Sequence, residues 1–150
     1  MTEAYLNGDF LSAEQVNASV FDKGFLLGDG VYEIIPVRKG HCFKLADRLQ
    51  ARLSGLQMTN VLWRALVKQL IERIGGGNLA LPLQIIRSVD SRDHIFPQGV
   101  TSTAFTMTNS RQPEAQQYKK QGISTITLSD IRWQKCMIKA NILLPNCILK

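Results

Sequence analysis

The sequence has little of what marks several large functional classes. No apolar run approaches the roughly 18 residues that a helical membrane span needs. The opening stretch "MTEAYLNGDF" carries an acid early and no apolar core, which is not the pattern of a secretory leader. Cysteine is scarce: Cys42, Cys136 and Cys147 make an odd set whose spacing fits no metal site, and reduced thiols in a cytoplasmic protein follow as the expectation. The formal charge is +6, from 18 basic and 12 acidic residues, yet no basic stripe interleaved with aromatics is present. The densest clusters are short, Arg48/Arg52 and Lys119/Lys120, so no nucleic-acid partner and no membrane partner are expected. Anionic small molecules, phosphates or carboxylates, account for the excess of basic groups equally well. There is no internal repeat and no low-complexity tract.

What is present reads as globular. An apolar fraction of 45% and a charged fraction of 20% suit a packed core, and 150 residues suffice for one domain plus part of another. Asn7-Gly8-Asp9 predicts a hairpin between "AYL" and "FLS". "DKGFLLGDG" reads as a glycine-punctuated loop. "VYEIIPVRKGHCFKL" predicts two short strands around Lys39-Gly40, with Pro36 marking an edge or a bulge. Residues 45–58 switch to helical spacing, with Leu45, Leu49, Leu53 and Leu56 on one face. A second helix is predicted from Asn60, as N-cap, to the stop at Gly75-Gly76-Gly77. "LALPLQIIRSV" and "TSTAFTMTN" read as strands, "SRQPEAQQYKKQG" as a linker, "ISTITLS" as a new strand and "DIRWQKCMIKANILL" as a helical segment. The expected fold class is therefore α+β, with a first domain over residues 1–110, a linker over 111–121 and the start of a second domain over 122–150.

Four groups of residues have chemical potential. Lys139 sits in the apolar run "KCMIKANILLPNCILK". Such a lysine either snorkels to water or is a desolvated amine able to form a Schiff base with a carbonyl. In "SRDHIFP", Arg92 and His94 are two apart and share a side if the segment is extended; a guanidinium fork plus an imidazole would suit a carboxylate. "GDGVYE" offers two glycines that permit a tight turn or a close approach, followed by the phenol of Tyr32. No helix follows these glycines, so they are not a dinucleotide fingerprint. Arg48 and Arg52 lie one helical turn apart and face either solvent or a phosphate.

Taken in order, these motifs resemble the fold-type IV (class IV) pyridoxal-phosphate enzymes, a family that includes D-amino-acid aminotransferases, branched-chain aminotransferases and aminodeoxychorismate lyases. "DKGFLLGDGVYE" resembles D-R-G-F-x-x-G-D-G-x-Y-E, with Lys23 in place of the arginine. "DIRWQKCMIK" resembles D-I-R-W-x-x-C-D-I-K, with Met137 in place of the aspartate. "SRDHIFP" is similar to the R-x-H-x-F-P of the D-amino-acid (D-alanine) branch. The resemblance runs from about Tyr5 to the end of the chain.

The resemblance implies a two-domain fold and transamination between a D-amino acid and a 2-oxo acid, with pyridoxal 5'-phosphate as cofactor. It makes Lys139 the catalytic, cofactor-binding lysine and places Tyr32 near the substrate. It assigns the substrate α-carboxylate to Arg92 and His94, reaching across the interface of a homodimer. A phosphate-binding arginine is implied at Arg48 or Arg52; matching from Phe43 favours Arg52, and matching the later leucines favours Arg48. The family's acid at the pyridine nitrogen and its main phosphate loops lie beyond the lysine. The chain is accordingly expected to be the N-terminal part of a longer enzyme. The alternatives are a lyase or branched-chain enzyme of the same fold, or a non-catalytic fragment with an exposed apolar tail.

Overall fold

Two turn sequences set the ends of the sheet. Asn7 and Gly8 have φ of 50° and 122°, and Lys39 and Gly40 have φ of 50° and 78°. These are the left-handed conformations that two-residue hairpins require. The first turn joins β1 (Glu3–Leu6) to β2 (Asp9–Ser12), and the second joins β3 (Gly30–Arg38) to β4 (His41–Cys42). The computed structural model describes residues 2–53, 59–87, 89–95, 97–111, 116–131 and 138–149, except the side chains of 50–53, 116 and 117.

β5 (Leu79–Ile86) and β6 (Thr103–Met107) complete a mixed-order antiparallel sheet, β2-β1-β6-β5-β3-β4, with the short β7 (Asn109–Ser110) also on β5. β6 and β7 follow one register along β5, Leu83 opposite Thr106 and Ala80 opposite Asn109. The interruption falls beside Pro82, which has no N–H to give to a ladder. Thr108 turns to β1 instead: its N–H donates to the Glu3 carbonyl at 2.8 Å, and its hydroxyl accepts from the Glu3 N–H at 3.0 Å.

Along β5 the even-numbered residues are half-buried, while Leu79, Leu81, Leu83 and Ile85 are buried, the period-two pattern of a strand with one face on the core. Ile35 and Val37 of β3 join them. Helices α2 (Leu45–Leu53) and α3 (Asn60–Arg73) cover this face and close the core with Leu49, Trp63, Leu66, Val67 and Leu70. The N-cap of α3 is Thr59 rather than the expected Asn60; its hydroxyl accepts from the Leu62 N–H at 3.3 Å.

Four further expectations change. The glycine-punctuated loop contains a short helix, α1 (Lys23–Leu27), because the Asp22 carboxylate caps it by accepting from the N–H groups of Gly24 and Phe25. "ISTITLS" is not a strand: residues 122–131 are exposed, and no described strand pairs with them. A lone extended segment has nowhere to place its backbone hydrogen bonds except water. The expected linker contains α4 (Gln116–Gln121). The expected helix around Lys139 does not form over 138–143, because that backbone bonds to β3; residues 132–137 lie outside the described set, and α5 (Leu144–Ile148) begins later. No helix among the described residues is long and apolar enough to cross a membrane.

The centre of β5 should be the part of the core least tolerant of truncation. Leu81→Ala should destabilise the chain by about 2–5 kcal/mol. Val61→Ala, at a position 74% exposed, should change stability by less than about 0.5 kcal/mol. Urea unfolding of both variants checks the contrast.

Candidate active site

The site is built on the outer edge of β3. At one end the edge pairs with β4, and the Phe43 N–H donates to the Pro36 carbonyl at 2.9 Å. At the other end it pairs with the segment around Lys139. The Tyr32 N–H donates to the Lys139 carbonyl at 2.8 Å, the Asn141 N–H donates to the Gly30 carbonyl at 3.0 Å, and Val31 bridges to Ala140. Tyr32, Ile34 and Pro36 present their backbone groups to this same edge, as alternate residues of a strand do. Pro36 lacks an N–H, which agrees with the edge position expected for it. Among the described residues Ile34 lies between the two paired ends, and side chains bond to it. Its N–H donates to Glu33 Oε1 at 2.9 Å, and its carbonyl accepts from Arg48 Nη1 at 3.2 Å.

The glycines of "GDGVYE" serve this docking. Gly28 has φ of +68°, and a Cβ there would lie 2.5 Å from Ile142 Cγ1; a Cβ on Gly30 would lie 2.5 Å from Asn141 Nδ2. Gly28 needs glycine for its left-handed φ and for the approach of Ile142; at Gly30 a side chain would have to displace the end of Asn141 and would meet the Ile85 carbonyl oxygen at 3.0 Å. A tight turn then centres on Lys139, with the Ala140 N–H donating to the Ile138 carbonyl at 2.9 Å.

Two cations converge on one carboxylate oxygen. Lys139 Nζ lies 2.9 Å from Glu33 Oε1, and Arg48 Nη1 lies 3.0 Å from the same atom. Lys139 Nζ also lies 5.0 Å from the centre of the Tyr32 ring, a cation–π distance. The Glu33 side chain is only 5% exposed, whereas those of Lys139 and Arg48 are about a third exposed. Burial pushes the Glu33 carboxyl pKa up, but hydrogen bonds from Lys139, the Ile34 N–H and Arg48, with the charge of Lys139, outweigh it and hold the pKa below its ordinary value. The carboxylate therefore stays ionised at neutral pH. Beside it, Arg48 Nε is buried with no hydrogen-bond acceptor among the described residues.

The sequence reasoning singled out Lys139, Tyr32 and Arg48, and the structure brings these three together. It missed Glu33. A signal was available: Val31, Glu33, Ile35 and Val37 alternate along β3, so an acid stands in a row of core-facing β-formers. Arg52 lies in α2, and its side chain is outside the described set. Arg92 and His94 are exposed and do not join the lysine cluster. The premise that they share a side through an extended backbone does not hold, because the Asp93 N–H donates to the Ser91 carbonyl at 2.8 Å and turns the chain at Arg92. His94 lines a cavity of about 430 Å³ together with Gly28, Val31, Ile138 and Ala140; neither Arg92 nor Lys139 does. The cavity thus touches both neighbours of Lys139 in the chain but not its amine.

No protein-family model matches the sequence. The chain is 30% identical over 159 residues to the D-alanine aminotransferase of Staphylococcus aureus strain N315; the match covers 100% of this chain and 56% of that protein. The chain thus spans little more than half the length of that relative. Among solved structures, a hypothetical aminotransferase from Mycobacterium tuberculosis, in a form with alpha-ketoglutarate and PMP bound, superposes with a TM-score of 0.78 at 21% identity, over 98% of this chain and 56% of that one. The 4-amino-4-deoxychorismate lyase of Pseudomonas aeruginosa superposes with a TM-score of 0.65 at 19% identity, over 80% of this chain and 44% of that one.

The lowered Glu33 pKa fixes the sign of a pH effect. A carboxyl whose folded pKa lies below its unfolded value of about 4.5 adds stability above that value and loses it as pH falls through the folded one. Wild type should therefore exceed Glu33→Gln in stability at pH 7, and the gap should shrink below about pH 4. Urea unfolding at pH 7 and pH 3 measures it; an equal gap at both values would contradict the ionised pairing.

Proposed function

We propose that this chain, whose fold is that of the class IV aminotransferases, serves pyridoxal-phosphate-dependent transfer of an amino group between a D-amino acid and a 2-oxo acid. The observation that carries this reading is the convergence of Lys139 and Arg48 on the Glu33 carboxylate. A lysine held beside a buried, unpartnered guanidinium nitrogen suits a ligand that carries both an aldehyde and a phosphate. When bound, pyridoxal phosphate supplies the aldehyde carbon and an electron-withdrawing ring.

In this reading Lys139 Nζ would hold the aldehyde and, once freed, would carry the proton from the substrate α-carbon to the cofactor's former aldehyde carbon, the shift that amino transfer requires. Glu33 is too acidic to serve as the base at neutral pH; its role is to stabilise Lys139 whenever Nζ carries a proton and to fix its position. The Tyr32 ring closes one side of the amine. Arg48 binds the phosphate, a choice over Arg52 supported by its sharing of Glu33 with Lys139 and by its Nε, which has no acceptor among the described residues. Arg92 and His94 hold the substrate carboxylate, presented to the site of the second subunit in a homodimer, which accords with their exposure. The N-terminal domain covers residues 1–110, the linker 111–121, and the cofactor-binding domain opens at 122, in a cytoplasmic enzyme.

The D-amino-acid branch is favoured by "SRDHIFP" and by similarity to relatives named D-alanine aminotransferase. Likeness in fold to a 4-amino-4-deoxychorismate lyase supports a lyase as the second reading. Product analysis with D-alanine plus 2-oxoglutarate, against aminodeoxychorismate, separates the two.

The first requirement is cofactor binding at the lysine. Pyridoxal phosphate added to the chain and reduced with borohydride should leave a mass adduct on Lys139, with none at that site in Lys139→Ala. An adduct spread over surface lysines and sparing Lys139 would refute the assignment.

A further inference from the structure

Lys23 is a buried cation that the proposed chemistry does not use. It opens α1, is 2% exposed, and has no described carboxylate partner; its amine instead donates to two backbone carbonyls, those of Asp93 at 3.0 Å and Ile95 at 3.1 Å. Burying an ammonium group costs free energy unless hydrogen bonds compensate, so this placement calls for a reason. The two carbonyls flank His94.

The surrounding bonds show what the amine adds. The segment before and after α1 is tied to the stretch that follows β5. The Arg87 N–H donates to the Asp29 carbonyl at 3.2 Å, Asp22 bridges to Val89, and the Asp90 N–H donates to the Phe21 carbonyl at 3.1 Å. Past Asp90 this pairing stops and the chain turns. The loop then has local bonds, Asp93 N–H to the Ser91 carbonyl at 2.8 Å and Ile95 N–H to Asp93 Oδ1 at 3.1 Å. These set its internal shape but do not fix it to the body of the fold. The Lys23 amine does so, from a helix whose start is itself locked by the Asp22 cap. Lys23 and His94 also line the same cavity.

We propose that Lys23 is a positioning residue that clamps the Asp93–Ile95 backbone and so sets where Arg92 and His94 stand. Its effect on substrate rests on the carboxylate role given to that pair above; the clamp itself does not. The departure from the resembled motif fits, since an arginine at position 23 also carries enough N–H donors for two carbonyls.

Hydrogen exchange on the 150-residue chain tests the clamp without cofactor. Lys23→Met should raise exchange in the peptide covering residues 91–95 about tenfold while α3 and β5 keep their protection, and Lys23→Arg should restore the loop. Unchanged loop exchange, or a rise throughout the chain, overturns the clamp. In the cofactor-loaded enzyme, Lys23→Met should raise KM for D-alanine about tenfold with kcat changed less than about twofold, and Lys23→Arg should recover KM. A fall in kcat at constant KM overturns the positioning role. Absence of amino transfer by wild type would instead refute the functional reading, and the exchange result alone would then decide the clamp.

Discussion

A carboxylate on the core side of a strand must meet cations or give up its charge, and Glu33 meets two. It sits in the row of Val31, Ile35 and Val37, where a neutral apolar side chain would pack without penalty. Its burial opposes ionisation; Lys139, Arg48 and the Ile34 N–H reverse that balance. The pair of cations is thereby held at one point on the sheet edge. Had either been placed in open solvent, screening would leave little to fix its position.

The rest of the fold supplies this edge with a gap of the right length. β4 is only two residues long, Pro36 has no donor to offer, and the segment around Lys139 pairs with β3 only near Gly30 to Tyr32. Among the described residues Ile34 has no strand partner on that side, and the side chains that bond to it are those of Glu33 and Arg48. Gly28 and Gly30 permit the lysine segment to come close enough, and α2 brings Arg48 over the same oxygen. Backbone pairing, glycine placement and the ion cluster are therefore parts of one arrangement.

Much of the first 110 residues was legible in the sequence. Asn7-Gly8 and Lys39-Gly40 dictate hairpins because few other pairs accept two positive φ values. The leucine spacing of α2 and the β-branched run of β3 state their periods plainly. What failed depended on partners. The segment "ISTITLS" has strand composition but no described strand to pair with, and the run around Lys139 has helical spacing but gives its hydrogen bonds to β3. α1 was hidden because Gly24 and Gly28 suggested a loop, while the deciding contact was the Asp22 cap. In the site, Lys139, Tyr32 and Arg48 were readable by resemblance and meet in space. Glu33 was visible only as a misplaced acid in an apolar row. The Arg92–His94 pair was readable as a motif, but its turn at Arg92 was not.

The central claim is that Lys139 and Arg48 hold Glu33 ionised at the edge of β3. Site-resolved carbon NMR of the Glu33 carboxyl group, titrated in wild type, Lys139→Ala and Arg48→Ala, tests it directly. The account predicts a wild-type midpoint below about 4.5 that moves up in both variants, more in Lys139→Ala, whose hydrogen bond and charge lower it most. A wild-type midpoint at or above the ordinary carboxylate value, or one indifferent to the loss of Lys139, would contradict it.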